Sequence, residues 1–291
     1  MTPEASRDAV RRDASRDASA LRVHARRDVS ELLAGAYRSA FRGRGLVFEE
    51  LREYSPGDDA ARIEWKATAR LGRPIVKRMR EERDLVLALL VDVSDSLRCG
   101  TSGETRRRAA FRTAAALASA AIRAQDRVAM ASFSDALHST LRPAGGPLQL
   151  ERVFRMLESA GGGARSDAAD ALSWATDTLP RHTVVVLISD LHLPEPGPPL
   201  AQCASKHDLI VLRVIDDIDT LPARIAPIRV RGAEGGARRV WRARRSGRAG
   251  GAPLPESALR RRGADYGEIG TGPSLVPDLH RFFEKRAGRP R

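Results

Sequence analysis

The sequence predicts an α/β protein with a doubly wound, mostly parallel β-sheet. Two runs of mostly apolar residues, 85–91 and 183–189, are typical of strands buried on both faces of a sheet. Helical patterns separate these runs from the other predicted strands, and parallel strands require such crossovers. Each run is followed by an aspartate, Asp92 or Asp190. This places polar groups at the carboxyl ends of the strands, where open α/β sheets bind ligands.

The first 83 residues are predicted to lie outside the main domain. Residues 1–20 alternate acidic and basic side chains and are expected to form a disordered arm. Residues 21–83 are predicted to hold an N-terminal helix (21–36) and a small β/helical cap with strands at 47–54 and 74–82. The cap either packs on one end of the sheet or forms a docking surface, and both can hold.

Within the cap, a Pro-Gly turn is followed by a short predicted helix. Asp58 or Asp59 is placed to cap that helix by accepting hydrogen bonds from its free backbone N–H groups. The spacing predicts that Ile63 and Trp65 point inward and that Arg62 points outward.

Residues 84–291 are predicted to form the main domain, which ends in a basic region with a hairpin at about 228–242. Alternation of strands and helices supports the parallel sheet. The predicted elements after residue 91 are a helix at 105–123, strands at 127–133 and 137–141, helices at 148–157 and 168–179, strands at 183–189 and 209–215, a helix at 256–262, a strand at 265–269 and a helix at 275–285.

Composition and charge indicate a globular domain and the kinds of partner that it could attract. The chain is 42% hydrophobic and 30% charged, with a formal net charge of +13, which is typical of a globular domain. From residue 224 onward, 17 Arg or Lys residues stand against 6 Asp or Glu. This excess could attract an acidic protein or nucleic acid. The sequence does not favour nucleic acid, because aromatic residues are not interleaved as stacking platforms.

Location is predicted from cysteine usage and hydropathy. Cys99 and Cys203 are the only cysteines, and two thiols without close spacing suggest neither a disulfide framework nor a zinc site. No apolar run approaches the roughly 20 residues of a membrane helix, and the N-terminus has no hydrophobic segment typical of a signal peptide. We therefore expect a cytoplasmic protein with no membrane span.

Oxygen-bearing side chains accumulate after the two apolar runs. Asp92, Ser94 and Ser96 alternate along one loop, and Asp190 ends the second run in the same way. Ser166, at the start of the helix at 168–179, can reach the same edge if the two strands are neighbours. Carboxylates and hydroxyls are ligands that a hard cation prefers. The five residues therefore predict a site for Mg²⁺, or Mn²⁺, and no catalytic residues are assigned.

The loop Asp92-Val-Ser-Asp-Ser96 resembles the D-x-S-x-S motif of the metal-ion-dependent adhesion site in von Willebrand factor A-like domains. Asp190 corresponds to the third-loop aspartate of that family. Ser166 stands where the family usually has threonine, and Ala164-Arg165 stand where it has paired glycines.

The upstream segment resembles the signature of the domain of unknown function 58 family. The matching segments are Arg42-Gly-Arg-Gly45, Glu53-Tyr54, Pro56-Gly-Asp-Asp59, Arg62-Ile-Glu-Trp65 and Ala69-Arg70. The resemblance implies a non-enzymatic bacterial protein that binds a MoxR-type AAA+ ATPase and assists assembly or activation of a client protein. It also makes Asp58, Arg62 and Trp65 candidate partner-binding residues.

Two other function classes stay open at this point. A phosphotransferase of the haloacid dehalogenase kind also places an aspartate after a buried strand, but it needs a second carboxylate two residues later. Ser94 stands at that position. A nucleic-acid binder would use the basic C-terminal region, and its binding would depend steeply on salt.

Overall fold

The computed structural model of the chain describes residues 31–41, 46–60, 63–81, 85–100, 104–220, 228–231, 238–241, 253–272 and 275–288. The predicted arm at 1–20 and most of the helix predicted at 21–36 lie outside these residues. Arg62 also lies outside them.

A six-stranded sheet forms the centre of the fold. Its strands are β3 (Val86–Asp92), β4 (Arg127–Phe133), β5 (Leu137–Ala144), β6 (Val184–Ser189), β7 (Asp208–Ile215) and β10 (Asp265–Gly270). They lie in the order β10-β7-β6-β3-β4-β5, and all neighbouring pairs are parallel except β4 and β5, which are antiparallel. The predicted doubly wound, mostly parallel α/β sheet is therefore confirmed.

Helices cover both faces of this sheet. Along β3 the buried side chains alternate between the two faces, with Leu87 and Leu89 on one and Ala88 and Leu90 on the other. The first face packs against α1 (Glu31–Phe41), α3 (Arg106–Arg123), α4 (Gly146–Ser159) and α9 (Leu275–Ala287). The second face packs against α5 (Ala169–Thr178), α6 (Gly197–Lys206) and α8 (Glu256–Arg261). A short helix, α7 (Asp217–Thr220), follows β7.

The N-terminal helix belongs to the core. Tyr37 and Phe41 of α1 pack against Phe283 of α9, with ring centroids 6.3 and 5.6 Å from that ring. The Tyr37 hydroxyl donates a hydrogen bond of 3.0 Å to Asp126 Oδ2. Burial, reinforced by Asp126, raises the pKa of Tyr37 well above its usual value, so this hydroxyl stays protonated and keeps its role as a donor.

A separate antiparallel hairpin precedes the central sheet. It consists of β1 (Leu46–Glu53) and β2 (Ile75–Glu81), and α2 (Trp65–Leu71) lies between them in the chain. The predicted turn and both strands are present. Asp58 accepts a hydrogen bond of 2.8 Å from the Ser55 N–H and forms an ion pair with Arg52, so it stabilises the turn instead of capping α2.

The predicted inward orientation of Trp65 is wrong, because its side chain is 70% exposed. The seven-residue helix α2 is too short to cover an indole. It buries none of its residues. Ile63, predicted to point inward with Trp65, is partly buried and forms a bridge to Val76.

A second small hairpin, β8 (Ile228–Arg231) with β9 (Arg238–Trp241), lies at the position predicted for it. Across the described ranges, no helix combines the length and apolar character that crossing a membrane requires. The division of the chain into an arm, a cap and a von Willebrand A-like domain stays a prediction.

Candidate metal centre

Asp92 and Asp190 lie at the same edge of the sheet. Asp92 is the last residue of β3, and Asp190 directly follows β6. The two strands are parallel neighbours, with Val91 paired to Ile188. Both aspartates are almost completely buried, so the fold places two carboxyl groups, far apart in sequence, within one desolvated region.

Hydrogen bonds hold both carboxylate oxygens of Asp92. Oδ1 accepts from the Ser94 N–H at 2.9 Å, and Oδ2 accepts from the hydroxyls of Ser166 and Ser189, each at 2.7 Å. Burial raises the pKa of Asp92, whereas the hydrogen bonds from Ser189, Ser166 and Ser94 lower it. The side chain is therefore fixed in one orientation by donors from two loops and from the end of β6.

Asp190 is only partly satisfied. Its Oδ1 accepts a hydrogen bond of 3.0 Å from the His192 N–H, while its buried Oδ2 has no hydrogen-bond partner among the described residues. Leaving a buried carboxylate oxygen without a partner is costly. The chain turns sharply here, because the next residue, Leu191, has a left-handed φ of 61°. A strained residue and an unsatisfied carboxylate oxygen therefore lie next to each other in the chain.

Serine hydroxyls complete the surroundings of the two acids. Ser94 and Ser96 Oγ are 3.0 Å apart on the loop after β3. Ser166 reaches Asp92 from the loop before α5. Asp167 accepts from the Ala169 N–H at 2.9 Å, at the first residue of α5. Four of the five predicted residues are linked by direct hydrogen bonds, and Asp190 joins them by strand register.

Ser189 belongs to this group although it was not among the predicted site residues. It donates to Asp92 Oδ2 and accepts from the Leu191 N–H at 3.0 Å. The available signal was a hydroxyl residue immediately before the aspartate that ends a buried strand. Ser189 thus connects the two acidic loops.

The glycines at 162 and 163 let the Ser166 loop approach two neighbouring loops closely. A Cβ on Gly162 would lie 2.7 Å from the Val93 carbonyl oxygen, on the loop after β3, and one on Gly163 would lie 2.4 Å from Ser134 Oγ, on the loop after β4. The Asp95 N–H donates to the Gly163 carbonyl at 2.9 Å. These glycines stand just before the paired-glycine position of the family motif and permit the Ser166 loop and the loop after β3 to make direct backbone contact.

We expect Gly163→Ala to displace the Ser166 loop and to weaken cation binding at least tenfold, because its Cβ would overlap buried Ser134. Gly161→Ala is the matched control, since its Cβ would meet nothing within 4 Å. Isothermal titration with Mg²⁺ checks this expectation. Equal affinity for the two variants would contradict it.

Other acids at this edge are already engaged in the structure. Asp219 forms a buried ion pair with Arg106 at 2.8 Å, and Asp216 accepts from the Thr271 hydroxyl at 2.8 Å. These contacts fix the loops after β7 and β10 to the start of α3. Asp92 differs from these acids because its Oδ2 accepts from two serine hydroxyls.

The donor set fits a hard divalent cation. Two carboxylates and several hydroxyls provide oxygen ligands alone, which Mg²⁺ and Mn²⁺ prefer. The described residues contain no group of three or more His, Cys, Asp or Glu side chains arranged for a metal ion. A cation here would therefore depend on the serines as much as on the acids. The residues that would hold it are Asp92, Ser94, Ser96, Ser166 and Asp190.

A family model matches the part of the chain that contains the five candidate metal ligands. The model described as "Protein of unknown function DUF58" matches residues 50–250, which is more than half of the chain. The chain belongs to the DUF58 family. The matched segment of this DUF58 protein runs from the first hairpin through all five candidate metal ligands.

Sequence relatives of the DUF58 chain include uncharacterized proteins of Mycobacterium tuberculosis and Mycobacterium bovis. Each is 29% identical over 230 residues, covering 76% of this chain and 71% of the relative.

Similar solved structures include BatB from Bacteroides thetaiotaomicron, with a TM-score of 0.49 and 18% identity over 70% of this chain and 100% of that one. The SpRpn10 VWA domain has a TM-score of 0.44 and 12% identity over 67% of this chain and 93% of that one. At these TM-scores the likenesses carry no conclusion by themselves, and the fold class follows from the strand order.

Proposed function

We propose that this DUF58 protein is a non-enzymatic, Mg²⁺-dependent protein-binding adaptor. In this proposal it works beside a MoxR-type AAA+ ATPase and assists assembly or activation of a client protein complex. Membership of the family and the α/β fold support an interaction role. The finer assignments, magnesium and the ATPase, come from the site chemistry and from the resemblance of the Asp92 loop and the upstream signature to von Willebrand A-like DUF58 proteins.

One observation carries the proposal: a buried aspartate oxygen without a partner stands at the same sheet edge as a fully hydrogen-bonded aspartate and its serines. Asp190 Oδ2 has no donor, whereas both oxygens of Asp92 have donors. A bound cation would supply the missing charge compensation for Asp190. The arrangement supports ion binding, because a buried carboxylate oxygen without a partner otherwise destabilises the fold.

The chain's residues divide the work of holding the ion. Asp92 orients the hydroxyls of Ser166 and Ser189 and the backbone of Ser94. Hydroxyl ligands carry no charge, so a cation held largely by them stays electrophilic and retains affinity for an acidic side chain of another protein. The bound cation supplies that electrostatic attraction, and the serine-rich rim supplies polar contacts.

The geometry does not favour phosphoryl transfer. Ser94, not a carboxylate, stands two residues after Asp92, and its Oγ contacts Ser96 Oγ. Asp92 itself is fully buried, and its Oδ2 already accepts two hydroxyl donors. A nucleophilic carboxylate must reach its substrate, and this one is enclosed by the protein.

We expect the combined substitution Asp92→Ala and Ser94→Ala to reduce binding of a MoxR-type ATPase by at least tenfold in Mg²⁺. The reason is that both a carboxylate and a hydroxyl ligand are lost. Biolayer interferometry with the immobilised full-length chain, in Mg²⁺ and again in EDTA, measures the effect. Chelation is expected to weaken the wild-type protein to the level of the variant.

The matched control combines Asp170→Ala with Ser139→Ala, which removes the same two side chains at exposed positions. This control is expected to bind as the wild type does. Undiminished binding by the Asp92 and Ser94 variant would show that the candidate metal centre is not the contact for the ATPase.

A further inference from the structure

Two arginines lie beside the candidate metal centre, and the centre itself does not use them. Arg98 ends a short 3₁₀ helix, Asp95–Arg98, that begins directly after Ser94. Arg107 lies in the first turn of α3 and donates a hydrogen bond to the Ala160 carbonyl oxygen. We name Arg98 and Arg107 the arginine pair.

The arginine pair adjoins the segment 160–166, which ends at the candidate ligand Ser166. One member, Arg107, contacts the first residue of this segment. The other lies close to its middle, because a Cβ on Gly162 would lie 3.4 Å from Arg98 Nη2. Gly162 itself is exposed, so a partner that covers this segment also meets the arginine pair.

Positive charge exceeds negative charge around the arginine pair. Residues 95–112 hold five arginines and two acids. Four of the arginines have carboxylate partners, in the pairs Arg98–Asp95, Arg106–Asp219, Arg108–Glu104 and Arg112–Glu104. Within the described ranges the fifth, Arg107, forms no ion pair. It contacts the Ala160 carbonyl and the Phe111 ring, whose centre lies 5.1 Å from its Cζ. One guanidinium is therefore without a counter-charge of its own.

The two guanidiniums act on each other and share one carboxylate. Burial and, after it, the charge of Arg98 lower the pKa of Arg107, whereas Asp95 raises it. The side chains of Arg98 and Asp95 are 38% and 50% exposed, so this group of two positive charges and one negative charge is open to solvent. The charge left over favours the approach of a further anion.

The candidate metal centre does not neutralise the arginine pair. When a divalent cation is bound, the charges of Asp92 and Asp190 are balanced by the ion. The exposed acid on the loop after β4, Asp135, already accepts a hydrogen bond from the Ser134 hydroxyl and interacts with Arg165. The excess positive charge therefore persists when the ion is bound.

We propose that the arginine pair binds a second carboxylate of the partner segment whose first carboxylate binds the cation. The inference rests on the proposed function, because it extends the same contact surface. Guanidinium groups hold carboxylates through two parallel hydrogen bonds, which a point charge cannot do. The partner is thereby specified more narrowly: it presents two Asp or Glu side chains from one exposed segment.

Selection from a library of random peptides displayed on phage tests this inference. The library is bound to the immobilised full chain in Mg²⁺, and phage are eluted with EDTA so that cation-dependent binders are collected. We expect the recovered peptides to share two acidic residues at a constant spacing. A parallel selection on Arg107→Gln is expected to yield peptides that conserve only one of the two acids.

One recovered peptide is then synthesised with a fluorophore, and its affinity in Mg²⁺ is measured by fluorescence anisotropy. Arg98→Gln and Arg107→Gln are each expected to weaken binding at least tenfold. Arg155→Gln is the matched control and should stay within twofold, because Arg155 is 63% exposed and lies on α4. Replacing the second acid of the peptide by its amide should weaken binding tenfold to the wild-type chain but less than twofold to Arg107→Gln.

Urea denaturation separates a binding role of Arg107 from a structural one. Its replacement by glutamine leaves no carboxylate without an ion-pair partner, so the midpoint of unfolding is expected to equal that of the wild-type chain or to exceed it. A lower midpoint together with weaker peptide binding would assign Arg107 to the fold instead.

The inference and the proposed function fail in different ways. Cation-dependent peptides that conserve a single acid, or an affinity that Arg107→Gln does not change, would overturn the inference and leave the proposed function standing. Peptides whose binding is the same in EDTA, or is unaffected by Asp190→Asn, would contradict the proposed cation contact. Recovery of no peptide by EDTA would count against both.

Discussion

Replacing Arg286 by alanine is expected to lower the free energy of unfolding by about 3–5 kcal/mol. Arg286 is 4% exposed and pairs with two carboxylates, Asp208 at the start of β7 and Asp265 at the start of β10. Its guanidinium also lies 5.4 Å from the centre of the Phe41 ring. Alanine would remove the positive charge that pairs with buried Asp208 and one of the contacts between α9 and α1.

Urea denaturation of the full chain, followed by circular dichroism, measures this loss. The control is Arg281→Ala, because Arg281 pairs with Asp278 at the surface and is 76% exposed. Surface pairs contribute about 0–1 kcal/mol, so a small change is expected there. Equal changes in the two variants would show that the buried pairs do not hold α9 to the sheet.

A further variant, Arg286→Met with Asp208→Asn, is expected to recover part of the loss because no buried charge is left alone at that position.

Replacing Asp190 by asparagine is expected to have opposite effects with and without Mg²⁺. Without the ion, the variant should be as stable as the wild-type protein or more stable by about 1 kcal/mol, because a neutral amide replaces a carboxylate whose Oδ2 has no donor. With the ion, only the wild-type protein should gain stability, by about 3 kcal/mol at a concentration a hundredfold above the dissociation constant. Unfolding by urea in Mg²⁺ and in EDTA measures both effects.

Asp170→Asn is the matched control, since it makes the same exchange at an exposed position. It is expected to leave the gain from Mg²⁺ unchanged. If Asp190→Asn destabilised the protein in EDTA and kept the full gain in Mg²⁺, Asp190 would be a structural residue and not a ligand.

The position of the site could be predicted from sequence because it depends on a simple rule of parallel sheets. Two apolar runs end in acids, and adjacent parallel strands bring their carboxyl ends together, as β3 and β6 do. The rule places Asp92 and Asp190, and the loop after β3 adds Ser94. It does not place Ser189. This serine ends β6, and the apolar pattern of a buried strand does not reveal that its last hydroxyl donates to Asp92 on the neighbouring strand.

The orientation of side chains in the cap could not be predicted in the same way. The spacing predicts that Trp65 points inward, but burial requires a surface to pack against, and the seven-residue helix α2 buries none of its side chains. The packing of α1 against α9 was also not predicted, because Tyr37 and Phe283 lie at opposite ends of the sequence. Long-range contacts of this kind leave no local periodicity.

Anomalous scattering from crystals of the full chain grown with Mn²⁺ tests most directly whether the two strand-end acids form a cation site. Mn²⁺ shares the preference of Mg²⁺ for oxygen ligands. We predict one strong peak among the oxygens of Asp92, Ser94, Ser96, Ser166 and Asp190, and no peak there in crystals of Asp190→Asn. Crystals with Mn²⁺ bound elsewhere, and no peak between Asp92 and Asp190, would contradict the assignment.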